Sequence, residues 1–139
     1  MRIRKAKPTD KEKILILVKK FYGKSSPRSV RIWQNNYKNM SKWTYVAEAR
    51  NKILGYISHE FKDNLFYIAD LYVLSKFRRK GIGTILLKKA NDLWKKSNKK
   101  LMIVNNRKRD KGAFNFYTKF GFEVWKEKSK KSLILRKCK

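Results

Sequence analysis

The chain has 139 residues, of which 42% are hydrophobic and 14% aromatic. That is the length of one compact domain with a real core, so we expect a single domain over residues 1–139 and exclude a disordered tail. Lys and Arg number 38 against 10 Asp and Glu, a net charge of +28, and the lone Cys138 excludes an internal disulfide.

No Cys/His cluster offers a metal site, and no apolar run approaches the roughly 20 residues of a membrane span. Met1-Arg2-Ile3-Arg4-Lys5 lacks the apolar stretch of a signal peptide. The expectation is a cytoplasmic protein without metal, a monomer or homodimer.

Met1 to Lys7 alternates and predicts a first strand. Pro8-Thr9-Asp10 is a helix-start signal, and Ile14, Leu15, Leu17, Val18 and Phe21 give a helical apolar face ended by Gly23. Pro27 to Met40 reads as a second helix, with Val30, Ile32, Trp33 and Tyr37 available to a core. Trp43 to Ala49, the polar turn Arg50-Asn51-Lys52 and Ile53 to Phe61 form a hairpin. After the Asp63-Asn64 turn, Leu65 to Leu74 is a strongly apolar strand. A glycine loop follows, then an amphipathic helix over Thr84 to Trp94. Leu101 to Val104 is a short buried strand. Lys111 to Phe120 is a helix closed by Gly121, and Phe122 to Lys126 and Leu133 to Arg136 are the last strands. The order βααβββαβαββ describes a mixed α/β domain, with one sheet of about six to seven strands flanked by about four helices.

Two readings of the charge stand side by side. One is an anionic partner: nucleic acid, a phosphate-rich co-substrate or an acidic protein. The other is a lysine-rich composition spread along the whole chain.

The loop is more specific. Leu71-Tyr72-Val73-Leu74 runs into Arg78-Arg79-Lys80-Gly81-Ile82-Gly83-Thr84, where a helix begins. The first N–H groups of a helix lack internal partners, and its dipole adds positive potential there. Glycines let a phosphate approach the main chain, and Arg78, Arg79 and Lys80 add charge. A dinucleotide fold would need a glycine where Leu86 stands, and a nucleoside-triphosphate loop would need a lysine after Gly83, where Thr84 stands.

The unit Arg78-x-x-Gly81-x-Gly83 after a strand resembles the acetyl-CoA loop of the GNAT superfamily of N-acetyltransferases. That family's second block, Asn-x-x-Ala-x-x-Leu/Phe-Tyr and then Gly-Phe, is similar to Asp110-Lys111-Gly112-Ala113 through Phe116-Tyr117 to Gly121-Phe122.

The resemblance implies acetyl-CoA as co-substrate. The backbone of Leu71, Tyr72 and Val73 would pair with the pantetheine arm. The amides from Arg79 through Lys80, Gly81, Ile82 and Gly83 to Thr84 would hold the pyrophosphate, with Arg78 beside them. Tyr117 would protonate the departing thiolate; a thiol pKa of about 8.5 and a phenol pKa of about 10 make that transfer useful. Asp110 and Ala113, in the family's second block, would complete the co-substrate site, Ala113 matching the family alanine. Asp110 stands where the family has Asn; it cannot donate when ionised, and it is equally suited to cap the following helix.

The acceptor must lose a proton before it attacks. A lysine-like amine is neutral roughly one time in 2,500 at pH 7, a cost of about 4.6 kcal/mol. The place where some relatives carry a basic Glu is Asn105. Asp70 matches the acid of others, and it is the only acid between Leu65 and Gly83. It reads either as a water-relayed base, as a cation-binding carboxylate, or as the partner of a lysine. Glu48, Glu60 and His59 are weaker candidates.

Two functions follow. The first is acetyl transfer to a primary amine by direct attack in a ternary complex, the acceptor being a protein lysine, a protein N-terminus, a small amine, or an aminoacyl or base amine on RNA. The second is a basic nucleic-acid-binding module on a similar scaffold. In it Lys95-Lys96, Lys99-Lys100, Arg107-Lys108-Arg109 and Lys126 to Lys131 meet phosphates, while Trp94 and Trp125 stack on bases.

Overall fold

The computed structural model describes all 139 residues, Met1 to Lys139. Seven strands hydrogen-bond in the order β1-β2-β3-β4-β5-β7-β6. They are Arg2–Lys5 (β1), Thr44–Ala49 (β2), Lys52–Lys62 (β3), Leu65–Val73 (β4), Leu101–Arg107 (β5), Glu123–Ser129 (β6) and Ser132–Cys138 (β7). The helices are Lys11–Tyr22 (α1), Pro27–Asn35 (α2), Tyr37–Ser41 (α3), Ile82–Lys96 (α4) and Lys111–Phe120 (α5). This is the mixed α/β architecture expected, with one helix more. Its contacts fall into two units: 1–59 with 70–91, and 60–69 with 92–139.

In the first unit β1 lies antiparallel to β2, and β2 to β3. The turn between β2 and β3 places Arg50 at φ 50° and Asn51 at φ 63°, the left-handed conformation a tight hairpin requires. α1 begins after a 3-10 turn over Pro8–Asp10 and ends at Gly23, φ 56°. The core joins Ile14, Leu17 and Val18 of α1 with Trp33, Tyr37, Val46, Ile53 and Tyr56. Arg4 ties β1 to its surroundings: it donates to both oxygens of Asp10 at 2.8 and 3.0 Å and to Glu48 at 2.8 Å. These bonds hold the Glu48 carboxyl down at about 2 and lower that of Asp10.

The helix expected from Pro27 to Met40 is broken. Asn36, at φ −130° and ψ 27°, ends α2 and opens α3. Asparagine is a weak helix former, and two in succession lower the cost of leaving the helix there. Ile32 faces outward, 43% exposed, although its spacing offered it to a core.

In the second unit β4 pairs in parallel with β5 over Leu65↔Leu101 to Ile68↔Val104. β5 extends beyond the Val104 expected, because β7 pairs with it antiparallel as far as Arg107↔Ser132. β6 also runs longer than expected, and two register shifts interrupt its pairing with β7. Phe66, Ile68, Met102, Val104, Trp94, Phe122 and Leu135 are buried here. α5 has the bounds expected and closes at Gly121, φ 113°, a left-handed value that glycine adopts without strain.

Candidate functional site

Beyond Ile68, its last residue paired with β5, β4 continues through Ala69, Asp70, Leu71 and Tyr72 to Val73. A 3-10 turn over Ser75–Phe77 follows, then the exposed residues Arg78 to Gly81, then α4. Arg79 at φ 63° and Gly81 at φ 82° turn the chain. A Cβ on Gly81 would meet nothing within 4 Å, so glycine serves the backbone conformation and leaves the space above the main chain open. The Ile85 amide donates to the Gly81 carbonyl at 3.0 Å, opening the α4 ladder. The amides of Ile82, Gly83 and Thr84 precede that bond, at the positive end of a helix of 15 residues.

The cations of the loop are not all alike. The Arg78 Nε donates to the Val73 carbonyl at 2.8 Å, and its guanidinium lies 5.3 Å from the centre of the Tyr72 ring. It therefore clasps the loop to the end of β4. Lys80 sits over Phe77, at 5.6 Å. Open backbone donors at a helix start, in a segment that carries Arg78, Arg79 and Lys80, suit an anion such as a pyrophosphate.

Gly55, which sequence reasoning passed over, controls the same strand from β3. A Cβ there would lie 2.6 Å from the Tyr72 carbonyl oxygen, a distance no side chain tolerates. The Leu74 amide donates to the Leu54 carbonyl at 2.8 Å alongside. A glycine inside a strand signals such close approach.

Asp70 is 1% exposed. Its carboxylate accepts from the Tyr22 hydroxyl at 2.5 Å, the Tyr56 hydroxyl at 2.9 Å and the Trp33 indole N–H at 3.1 Å. Burial, with negative Asp70 beside it, pushes the Tyr56 phenol well above its ordinary value, so that it stays a donor. These partners come from α1, α2 and β3. No spacing in the sequence announces them; only the presence of an acid in an apolar strand says that donors must exist.

In the second unit Asp110 caps α5, accepting from the Ala113 amide at 2.9 Å. Tyr117, on α5, is 8% exposed, and its ring stands edge-on to Phe116 and Phe122 at 5.2 and 5.5 Å. Asn105 donates from Nδ2 to the Tyr67 hydroxyl at 2.7 Å. Trp94, considered as a stacking platform, is 1% exposed and belongs to the core. Trp125 has Lys126 at 4.4 Å and Arg136 at 5.7 Å from its ring centre.

Of the weaker candidates, Glu60 is exposed, whereas Glu48 and His59 have structural surroundings. Glu48 binds Arg2 and Arg4. His59 is buried edge-on to Trp43, and desolvation, with Lys5 nearby, pushes it down to about 4.

The model of the family described as an acetyltransferase (GNAT) domain matches residues 41–124. An uncharacterised N-acetyltransferase of Methanocaldococcus jannaschii is 33% identical over 85 residues, which cover 56% of this chain and 38% of that protein. The match thus spans well under half the length of that curated relative. Two solved structures share the fold. The PaiA N-acetyltransferase of Thermoplasma acidophilum, in complex with coenzyme A, has a TM-score of 0.83 at 22% identity, covering 99% of this chain and 98% of that one. The ribosomal-protein-alanine N-acetyltransferase of Brucella melitensis has a TM-score of 0.84 at 18% identity and covers both chains in full, at 100% each.

Proposed function

We infer that this chain, which belongs to the acetyltransferase (GNAT) family, transfers an acetyl group from acetyl-CoA to a primary amine by direct attack on the thioester. One observation carries the reading: an open glycine-turned loop after β4, with left-handed Arg79 and Gly81 and the free amides of α4. In this reading Arg79 to Thr84 hold the pyrophosphate, and the backbone of Leu71 to Val73 aligns the pantetheine. Arg78 sets the angle between strand and loop. Tyr117 gives the proton that the leaving thiolate takes. Asp110 caps α5 and so presents Ala113 and Tyr117; it is not asked to donate to the co-substrate.

Asp70 is read as a positioning residue. It accepts from three donors of three elements, and so holds Tyr22, Trp33 and Tyr56 in one arrangement. With Asp70 so engaged, and with an amide rather than an acid at Asn105, the acceptor that fits best is one that sheds its own proton. An α-amino group of pKa about 7.8 is neutral roughly one time in seven at pH 7, against one in 2,500 for a lysine. That saves about 3 kcal/mol of barrier without any base. A ribosomal-protein-alanine acetyltransferase with this fold uses an acceptor of that kind by its name, which supports a peptide N-terminus.

The test is CoA release with peptides bearing either a free N-terminus or a blocked one plus lysine. The free N-terminus should be preferred by at least about tenfold near pH 7. Tyr117→Phe should lower kcat by about a hundredfold or more, while the rise in Tm on adding acetyl-CoA stays saturable and unchanged. Absence of any saturable rise in the parent protein sinks the reading.

A further inference from the structure

We propose that the basic hollow where β5 leads into α5, facing the β6–β7 hairpin turn, binds the phosphodiester backbone of a single nucleic-acid strand. Two sequence segments that stand twenty residues apart converge there. The last β5–β7 pair, Arg107↔Ser132, sets their register, and the Lys108 amide donates to the Lys131 carbonyl at 2.8 Å, locking one to the other. On the hairpin side the Lys131 amide donates to the Ser129 hydroxyl at 3.2 Å, shaping the turn. The result is a cavity of about 630 Å³ lined by Arg107, Lys108, Arg109, Lys130 and Lys131, together with the two hairpin serines.

No acid lines it. Glu127 approaches Lys108 from β6 at 3.1 Å, an exposed pair that offsets one of five charges. A lysine-rich composition alone scatters cations on convex faces, where they splay into water. Here backbone hydrogen bonds hold two basic runs mouth to mouth, so their repulsion is built in and an anion relieves it. Two of the five are arginines, whose planar forks match phosphate oxygens two at a time. Five cations exceed what one phosphate can neutralise, so a ligand with successive phosphates is required. A hollow admits a strand that threads it more readily than the convex edge of a duplex. None of the residues lining the hollow belongs to the loop before α4.

The test is fluorescence anisotropy with a labelled oligouridine of about 12 nucleotides at about 0.1 M salt. The exposed triple variant Arg109→Gln/Lys130→Gln/Lys131→Gln is compared with Lys11→Gln/Lys19→Gln/Lys20→Gln on α1, which removes equal charge. The hollow variant should bind at least about tenfold more weakly, and its salt slope should fall by about 2, near 0.7 per lost phosphate contact. The α1 variant should stay within about twofold of the parent. The rise in Tm with acetyl-CoA should be the same in all three proteins, which separates this site from the acyl-transfer reading. Equal weakening by both variants would assign binding to net charge and overturn the proposal. So would displacement of the RNA by poly-aspartate as readily as by unlabelled RNA, which marks an acidic polypeptide as the partner. Loss of the acetyl-CoA effect in the hollow variant, or no binding by the parent, overturns it as well.

Discussion

Asp70 shows how one residue can be located in a sequence and still not be understood from it. An acid inside Ile68-Ala69-Asp70-Leu71-Tyr72-Val73 is costly unless donors meet it, so its importance is legible. The donors are 48, 37 and 14 positions away, on Tyr22, Trp33 and Tyr56, and nothing local specifies them. Asp70→Ala leaves the Trp33 N–H and the Tyr56 hydroxyl buried without this acceptor, and should cost about 3–5 kcal/mol by denaturant melts. Asp70→Asn keeps one oxygen for Trp33 and Tyr56, while its NH₂ can donate to a reversed Tyr22 hydroxyl. Its cost should be about 1 kcal/mol, with kcat reduced less than about tenfold. A stable Asn variant that has lost activity a hundredfold or more would instead make Asp70 the base.

At the scale of elements, the chain order of strands and helices follows from patterning, because period and turn chemistry are local. Gly121, Gly23, Pro27 and the Asp63 turn mark boundaries near where the structure has them. The breaks inside elements are less legible. Asn36 divides one expected helix into two: its φ of −130° leaves the helical range although the apolar spacing continues. Strand ends are set by neighbours: β5 extends to Arg107 because β7 supplies partners. Gly55 joins two elements in a single contact. Gly55→Ala would drive a methyl group to 2.6 Å from the Tyr72 carbonyl, and a backbone oxygen cannot step aside without moving β4. The expected result is a loss of about 1–3 kcal/mol and weaker acetyl-CoA binding by titration, because Tyr72 lies in the strand assigned to the pantetheine. Unchanged affinity in a folded Gly55→Ala protein would detach Leu71 to Val73 from the co-substrate.

For the whole molecule, net charge and buried titratable groups together shape the response to acid. His59 is held neutral in the fold, with a pKa of about 4 against an ordinary 6.5. Between those values the unfolded chain takes up a proton that the folded chain refuses. Stability should therefore fall as pH drops from about 6.5 to about 4, by about 3 kcal/mol. Asp10 and Glu48, both lowered by Arg4, act later: their contribution is complete above ordinary carboxylate values and is lost as pH falls toward about 2. Urea melts at pH 7.5, 5.5 and 4.5 check this, and His59→Phe should flatten the slope between 6.5 and 4.

The +28 charge was plain from the sequence, but its meaning was divided between partner and composition. Only the tertiary structure gathered Arg107-Lys108-Arg109 and Lys130-Lys131 around one hollow and sent Trp94 into the core. The sequence by itself determined the α/β order, the glycine loop between strand and helix, and the family resemblance, because each rests on residues within one short stretch. Which side chains surround Asp70, where Gly55 lets two strands close in, and which cations share a cavity were decided by the tertiary structure. Those contacts join distant segments, and the energy of burial that brings them together is a property of the folded core.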